Sequence, residues 1–272
     1  MGGVILTTDS SLSSSGYEDG LGRRVLAFDR ETGGMLECLV LRPELAAFHQ
    51  ILRERVTTLA ALEDERFVRP REVAVDEENR LTIVSEFVSG RRLSEILDSA
   101  VDAGIAPGID AALGLLLELL PALGHLHGVA RFAHGSIAPG RILFTPSSQL
   151  VLLDALYAAP LERLQFNRQR LWSELGIAVP PSAGAVRFDV AADLTQAAMV
   201  AASLVVGRPL TDQDYPAGVA ALRDEILDVA RIRGSGVFAG GVQKFFDRVL
   251  PLASRRMAHI RVAICLIIVP VS

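Results

Sequence analysis

The sequence predicts an α+β protein of two unequal lobes, a small β-rich one followed by a larger, mainly helical one. Two observations carry this. Short β-prone runs between Ser/Gly/Asp-rich turns fill the chain up to about Gly90, and beyond it the apolar residues take helical spacing. The 272 residues are half hydrophobic and 22% charged, which suits a folded chain with a sizeable core and argues against disorder.

The β-prone runs are Val4–Thr8, Arg24–Phe28, Met35–Leu41, Phe67–Val75 and Leu81–Phe87. One helix interrupts them from Pro43 to Leu62, where Phe48, Ile51, Leu52, Val56, Leu59 and Leu62 recur at three- and four-residue spacing. Pro43 suits its first turn, because a missing N–H costs nothing there. After the junction at Ser89–Gly90, Leu93–Gly104 reads as a short helix with a glycine stop. Asp110–Gly128 is a helix too apolar to leave one side in water, with Pro121 expected to kink or reset it. Arg141–Thr145 and Leu150–Leu153 flank the turn PSSQ as a hairpin. A second buried helix follows from Asp189 to Val206, then amphipathic helices near Val219–Arg233 and Val237–Ala253. This divides the chain into an N-terminal lobe of residues 1–88 and a C-terminal lobe of 89–272, together one domain. Ser10–Gly16 reads as a flexible loop.

A net charge of −5 gives no basic footprint, so binding to nucleic acid through its phosphates is not expected. Cys38 and Cys265 make no disulfide framework, and no Cys/His cluster has zinc-ligand spacing. That fits a reducing cytoplasm. The start of the chain lacks the features of a signal peptide. The apolar run from Arg261 is shorter than the ~20 residues a membrane span needs, so it reads as a buried terminal segment.

Five segments stand in a telling order. They are VSEFVSGRRLSEIL (Val84–Leu97), LGHLHG (Leu123–Gly128), HGSIAPGRIL (His134–Leu143), LVLLDAL (Leu150–Leu156) and AADLTQAAMVAASLVVGRPL (Ala191–Leu210). In that order and spacing they resemble the inter-lobe link, the pre-catalytic helix, the catalytic loop, the metal-binding turn and the bracing helix of protein kinases. The resemblance is to the bacterial serine/threonine type and covers about Val4 to Ala253. It implies the two-lobed protein-kinase-like fold.

The same resemblance implies that the catalytic machinery is degenerate. Phosphoryl transfer depends on positioning and on neutralising a triphosphate. Leu39 stands at the third-strand position where such kinases carry a Lys, and Arg55 where the next helix carries its Glu partner. Of the three glycine positions in the phosphate turn, which fall on Tyr17, Asp19 and Gly22, only the last is glycine; a shifted alignment recovers Gly20 and Gly22. Ser136 replaces the catalytic acid, and Arg141 replaces the Asn that holds a second metal ion. Asp154 matches the metal-binding Asp, and a salt bridge from Arg141 is expected to stand in for the cation. His134 and Asp193 match structural residues of the loop and its brace. His125 and His127, two residues apart, do not face each other and suggest no metal site.

Between Asp154 and Pro180 the only hydroxyls are Tyr157 and Ser173, so a phosphorylation-switched loop is not expected. Leu161–Leu175 reads instead as a fixed helix over the cleft, or as a partner-binding surface, with Trp172 in the core or as an anchor. The expected function is thus a catalytically impaired kinase-like module that works through a protein partner, without nucleic acid or a membrane span. No cofactor is expected, with weak ATP and magnesium binding as the alternative. In that case the backbone of Glu86 and Val88 would take adenine and Asp154 a metal ion. Residual Ser/Thr phosphotransfer, or a small-molecule kinase of the aminoglycoside phosphotransferase type, would need the acid and the metal ligand that Ser136 and Arg141 replace.

Overall fold

A computed structural model describes residues 17–29, 31–75, 80–181, 184–233 and 236–250. The expected strand Val4–Thr8, the loop Ser10–Gly16, the last residues of the helix expected to reach Ala253 and the apolar run from Arg261 lie outside the described residues.

The first lobe holds β1 (Glu18–Asp19), β2 (Gly22–Phe28), β3 (Met35–Leu41), α1 (Pro43–Ala46), α2 (His49–Ala60), β4 (Pro70–Val75) and β5 (Leu81–Glu86). The strands form one antiparallel sheet in the order β1-β2-β3-β5-β4. The single helix expected over Pro43–Leu62 is divided in two. Phe48 leaves helical geometry (φ −101°, ψ 23°), and on either side of it Leu45 and Leu52 are both fully buried. Leu52, Val56 and Leu59 form the buried stripe of α2, which packs on β4. The strand expected from Phe67 starts only at Pro70; Phe67 itself pairs across the lobes with Leu152.

The second lobe opens with β6 (Arg91–Arg92), α3 (Leu93–Asp102) and α4 (Gly108–His125). It continues with β7 (Ile142–Phe144), β8 (Leu150–Leu152), α5 (Ala158–Leu164), α6 (Arg168–Leu175), α7 (Val190–Val206), α8 (Val219–Arg233) and α9 (Gly236–Val249). The hairpin is β7–β8, and β6 joins it as a third strand.

α4 runs unbroken through Pro121, passes into a π-turn at Leu126–Ala130 and stops at Arg131, whose φ is +58°. The stretch Gly108–Ala130 is long and apolar enough to cross a bilayer, yet half of it is buried inside the fold. α4 is less enclosed than its composition suggests. Leu117 is 50% exposed, while Leu115, Leu116, Leu119, Leu120 and Leu123 face the core. α7 is the enclosed helix: every residue from Ala192 to Val205 is buried, and its alanines let α4 pack closely. The main apolar core is continuous from Leu39 and Ile83 in the sheet to Met199 and Leu222 in the helices, which fixes one lobe against the other.

Candidate functional site

The site lies where β2 and β3 face the loop His134–Arg141 and the turn at Asp154. Pleating puts Glu37 and Leu39 on the same face of β3, and the ladder sets Arg24 of β2 directly opposite Leu39. The Arg24 guanidinium is 4% exposed. It reaches Glu37 Oε1 at 2.7 Å and Asp19 Oδ2 at 3.3 Å, and its Nη2 also donates to Asp154 Oδ2. Two more buried arginines extend the cluster. Arg141 Nε meets Asp19 Oδ2 at 3.2 Å, and its Nη1 donates to the Ser136 carbonyl at 3.2 Å. Arg92 donates to Glu37 Oε2 at 3.0 Å and to the Gly140 carbonyl at 2.7 Å, with its guanidinium 4.6 Å over the Tyr17 ring. Three guanidiniums and three carboxylates thus alternate across the junction.

Electrostatics follow from this packing. Burial works to raise the Asp19 carboxyl, but Arg141 and Arg24 outweigh it and hold the pKa at about 2. For Arg24 burial works against the charge, and Asp154, Asp19 and Glu37 together raise the pKa well above its ordinary value. The space bounded by Arg24, Glu37, Leu39, Ile83, Leu153 and Asp154 amounts to about 10 Å³. That is room for no more than about one water, against the ~300 Å³ or more of a ligand site.

The expected Arg141–Asp154 bridge is corrected here: Arg141 takes Asp19, and Asp154 takes Arg24. The reason is the β1–β2 turn, which carries Asp19 and Arg24 down between the two residues expected to pair. That turn is pressed against α6. A Cβ on Gly20 would lie 1.8 Å from the Glu174 carbonyl oxygen, so only glycine permits the approach. Arg42 ties the same region together, donating to the Gly20 carbonyl at 3.2 Å and to Glu174 Oε2 at 2.8 Å.

Beneath the cluster the loop is held by α7. Asp193 accepts the backbone N–H groups of His134 and Gly135, each at 2.7 Å, and contacts His127 Nε2 at 2.7 Å. Gln196 accepts from the Ile137 N–H at 2.8 Å. Gly135 has φ +78° and backs onto Ala158, where a side chain would collide at 2.4 Å. His134 is fully buried, and burial pushes its pKa down to about 4. Ser136 is also fully buried, with Oγ donating to the Asp154 carbonyl at 2.8 Å. Both Glu86 and Val88 lie at the link that leaves β5. The Glu86 N–H goes to the Arg69 carbonyl, and its carboxylate lies 3.5 Å from Arg71.

The segment expected as one helix over Leu161–Leu175 is α5 and α6, separated at Gln165, which takes the left-handed conformation (φ +51°). Trp172 is half-buried, not in the core. Its Nε1 donates to the Thr211 carbonyl at 3.0 Å, its ring lies 5.1 Å from that of Tyr215, and it lines a cavity of about 480 Å³ beside α6 and α7. Tyr157 is fully buried.

A magnesium ion and a triphosphate are what the resemblance implies, and the residues present do not fit them. The Asp154 carboxylate carries the Arg24 guanidinium, Arg141 stands where the resemblance implies a second ligand, and Leu39 offers no cation from β3. Among the described residues no three His, Cys, Asp or Glu side chains are grouped to hold a metal ion. Inspection of the sequence missed Arg24, Glu37 and Arg92. The available signal was a charged residue inside β-prone runs, Arg24 and Glu37, on positions whose alternation faces inward.

Comparison with solved structures settles the architecture. The maize SIRK1 (sucrose-induced receptor kinase 1) kinase domain, bound to AMP-PNP, matches with a TM-score of 0.68 and 16% identity over 97% of this chain and 96% of that one. The chain has the protein-kinase fold. A point mutant of the Mycobacterium tuberculosis PknI kinase domain matches with a TM-score of 0.57 and 17% identity, over 84% of this chain and 92% of that one. In sequence, the kinase-fold chain is 26% identical over 212 residues to the serine/threonine-protein kinase PksC of Streptomyces coelicolor. The match covers 75% of this chain and 38% of PksC, so the chain spans well under half the length of that relative. No family model matches the chain.

Proposed function

We propose that this kinase-fold chain is a pseudokinase, a cytoplasmic regulatory module that acts by binding a protein partner and not by phosphoryl transfer. The observation that carries the reading is Arg24 on Asp154: the carboxylate that would hold a metal ion is neutralised by a buried side chain of the same protein. Three further features support it. Ser136 cannot accept a proton at neutral pH and has its hydroxyl committed to a backbone carbonyl. Arg141 repels a cation where a ligand is needed. Buried, unbridged Cys38 fits a reducing compartment.

The name of PksC points to serine/threonine phosphotransfer as the competing reading. A thermal-shift titration with ATP, with and without magnesium, separates the two, because a ligand that binds the native state raises its melting temperature. No magnesium-dependent shift at millimolar ATP is expected. A magnesium-dependent shift together with transfer of the γ-phosphate to a Ser/Thr peptide would overturn the proposal.

A further inference from the structure

On the far side of the His134 loop a cavity of about 490 Å³ is lined by Arg55 of α2, Arg131 at the end of the π-turn and Arg163 of α5. None of the three has a carboxylate partner among the described residues. The Arg55 guanidinium lies 4.3 Å over the Phe132 ring, and burial lowers its pKa against the pull of Glu54. Arg131 and Arg163 are exposed at the mouth.

Two carboxylates, Glu162 and Asp189, share this cavity, but both are committed to backbone donors. Glu162 accepts from the Phe188 N–H at 2.9 Å, and Asp189 caps α7 through the Ala191 and Ala192 N–H groups. His127 is held by Asp193. Three guanidiniums face two carboxylates whose lone pairs are partly taken by backbone N–H groups, so one positive charge remains in excess, beside the apolar surfaces of Phe132, Phe188 and Val190.

We infer that this pocket binds a phosphate monoester supplied by another molecule. Guanidiniums match the planar pairs of oxygens on phosphate and favour its double charge, and the apolar wall suits the carbon side of the ester. The chain does not supply the group from its own Asp154–Pro180 segment. Tyr157 is buried, and Ser173 lines the other cavity with its hydroxyl bonded to the Gln169 carbonyl. The inference holds whether or not the Arg24 cluster admits a nucleotide.

Calorimetric titrations of the whole chain with inorganic phosphate, a phosphoserine peptide and the same peptide unphosphorylated test it. Binding of phosphate is expected, weakened about tenfold or more in an R131Q/R163Q variant and kept in part by R131K/R163K. Both pairs lie on exposed positions, and unchanged melting temperatures without ligand confirm folding. A phosphopeptide that binds more tightly than phosphate, with no binding of the plain peptide, supports a protein-borne group; equal affinities support a free phosphate. Absence of binding to both phosphate and phosphopeptide, or equal binding by the wild type and R131Q/R163Q, overturns the inference.

Discussion

Arg24 stands directly across the β2–β3 ladder from Leu39, so the junction between the lobes receives its cation from β2 at the level where β3 supplies none. The cation is spent inside the protein. Each of its partners, Glu37, Asp19 and Asp154, comes from a different element, which makes Arg24 the tie between the sheet, the β1–β2 turn and the turn after β8.

Removing that tie leaves three part-buried carboxylates short of a counter-charge. Arg24→Ala is expected to destabilise the fold by about 3–5 kcal/mol, as for other broken buried pairs. Asp154→Asn leaves Arg24 with two carboxylates and is expected to cost less, about 1–3 kcal/mol. Urea denaturation of both variants measures the difference. Equal losses, or a smaller loss for Arg24→Ala, would show that the cluster is not organised around Arg24.

Gly20 is a second point of closure, because its backbone lies against Glu174 of α6. Gly20→Ala must push the β1–β2 turn away from α6 and is expected to cost about 1–3 kcal/mol. Gly114, on an open face of α4 with nothing within 4 Å, provides the contrast. There the same change is expected to stabilise by about 1 kcal/mol, through helix propensity alone. Melting temperatures that move together in the two variants would contradict the close approach at Gly20.

How far the sequence revealed this arrangement depends on the kind of information each feature needs. His134, Ser136, Arg141, Asp154 and Asp193 were marked by the resemblance, because each sits in a short contiguous motif of it. The β-prone runs that become β2 and β3 were equally plain. What the strings of residues do not contain is register. Without the β2–β3 ladder nothing sets Arg24 opposite Leu39, and without the course of the β1–β2 turn nothing places Asp19 between Arg141 and Asp154. Arg141 was therefore paired with the nearest acid in sequence logic and not with the one the fold delivers. The break at Phe48 escaped for a related reason: helical spacing continues across it, Leu45 and Leu52 share the face an unbroken helix would also bury, and only the backbone at Phe48 (φ −101°, ψ 23°) shows two segments.

Asp193 holds the His134 loop through two backbone N–H groups, each bonded to one of its carboxylate oxygens. Asp193→Ala orphans both inside the core and is expected to cost about 2–5 kcal/mol. Gln196→Ala orphans the Ile137 N–H, removes the 3.3 Å donor to the Gly135 carbonyl, and is expected to cost about 1–3 kcal/mol. Hydrogen exchange locates the effect: protection of residues 134–137 should fall in both variants before that of α7. Uniform loss along α7 instead would mean that the helix, and not the loop, depends on these side chains.

His134 gives the fold an acid-sensitive window. Its folded pKa is about 4, pushed down by burial, while the unfolded chain titrates near the ordinary 6.5. Between those values the unfolded state binds a proton that the folded state refuses, so stability falls as pH drops from 6.5 to about 4. The loss approaches about 3 kcal/mol at the lower end, and above 6.5 this group contributes no slope. Asp19 acts in a lower window, since its stabilising charge is lost only as pH falls from 3.8 towards about 2. Unfolding free energies at pH 7.5 and pH 4.5 should therefore differ more in the wild type than in a His134→Asn variant, whose side chain does not titrate. If both proteins lose the same stability over that interval, His134 is not the group that carries the acid response.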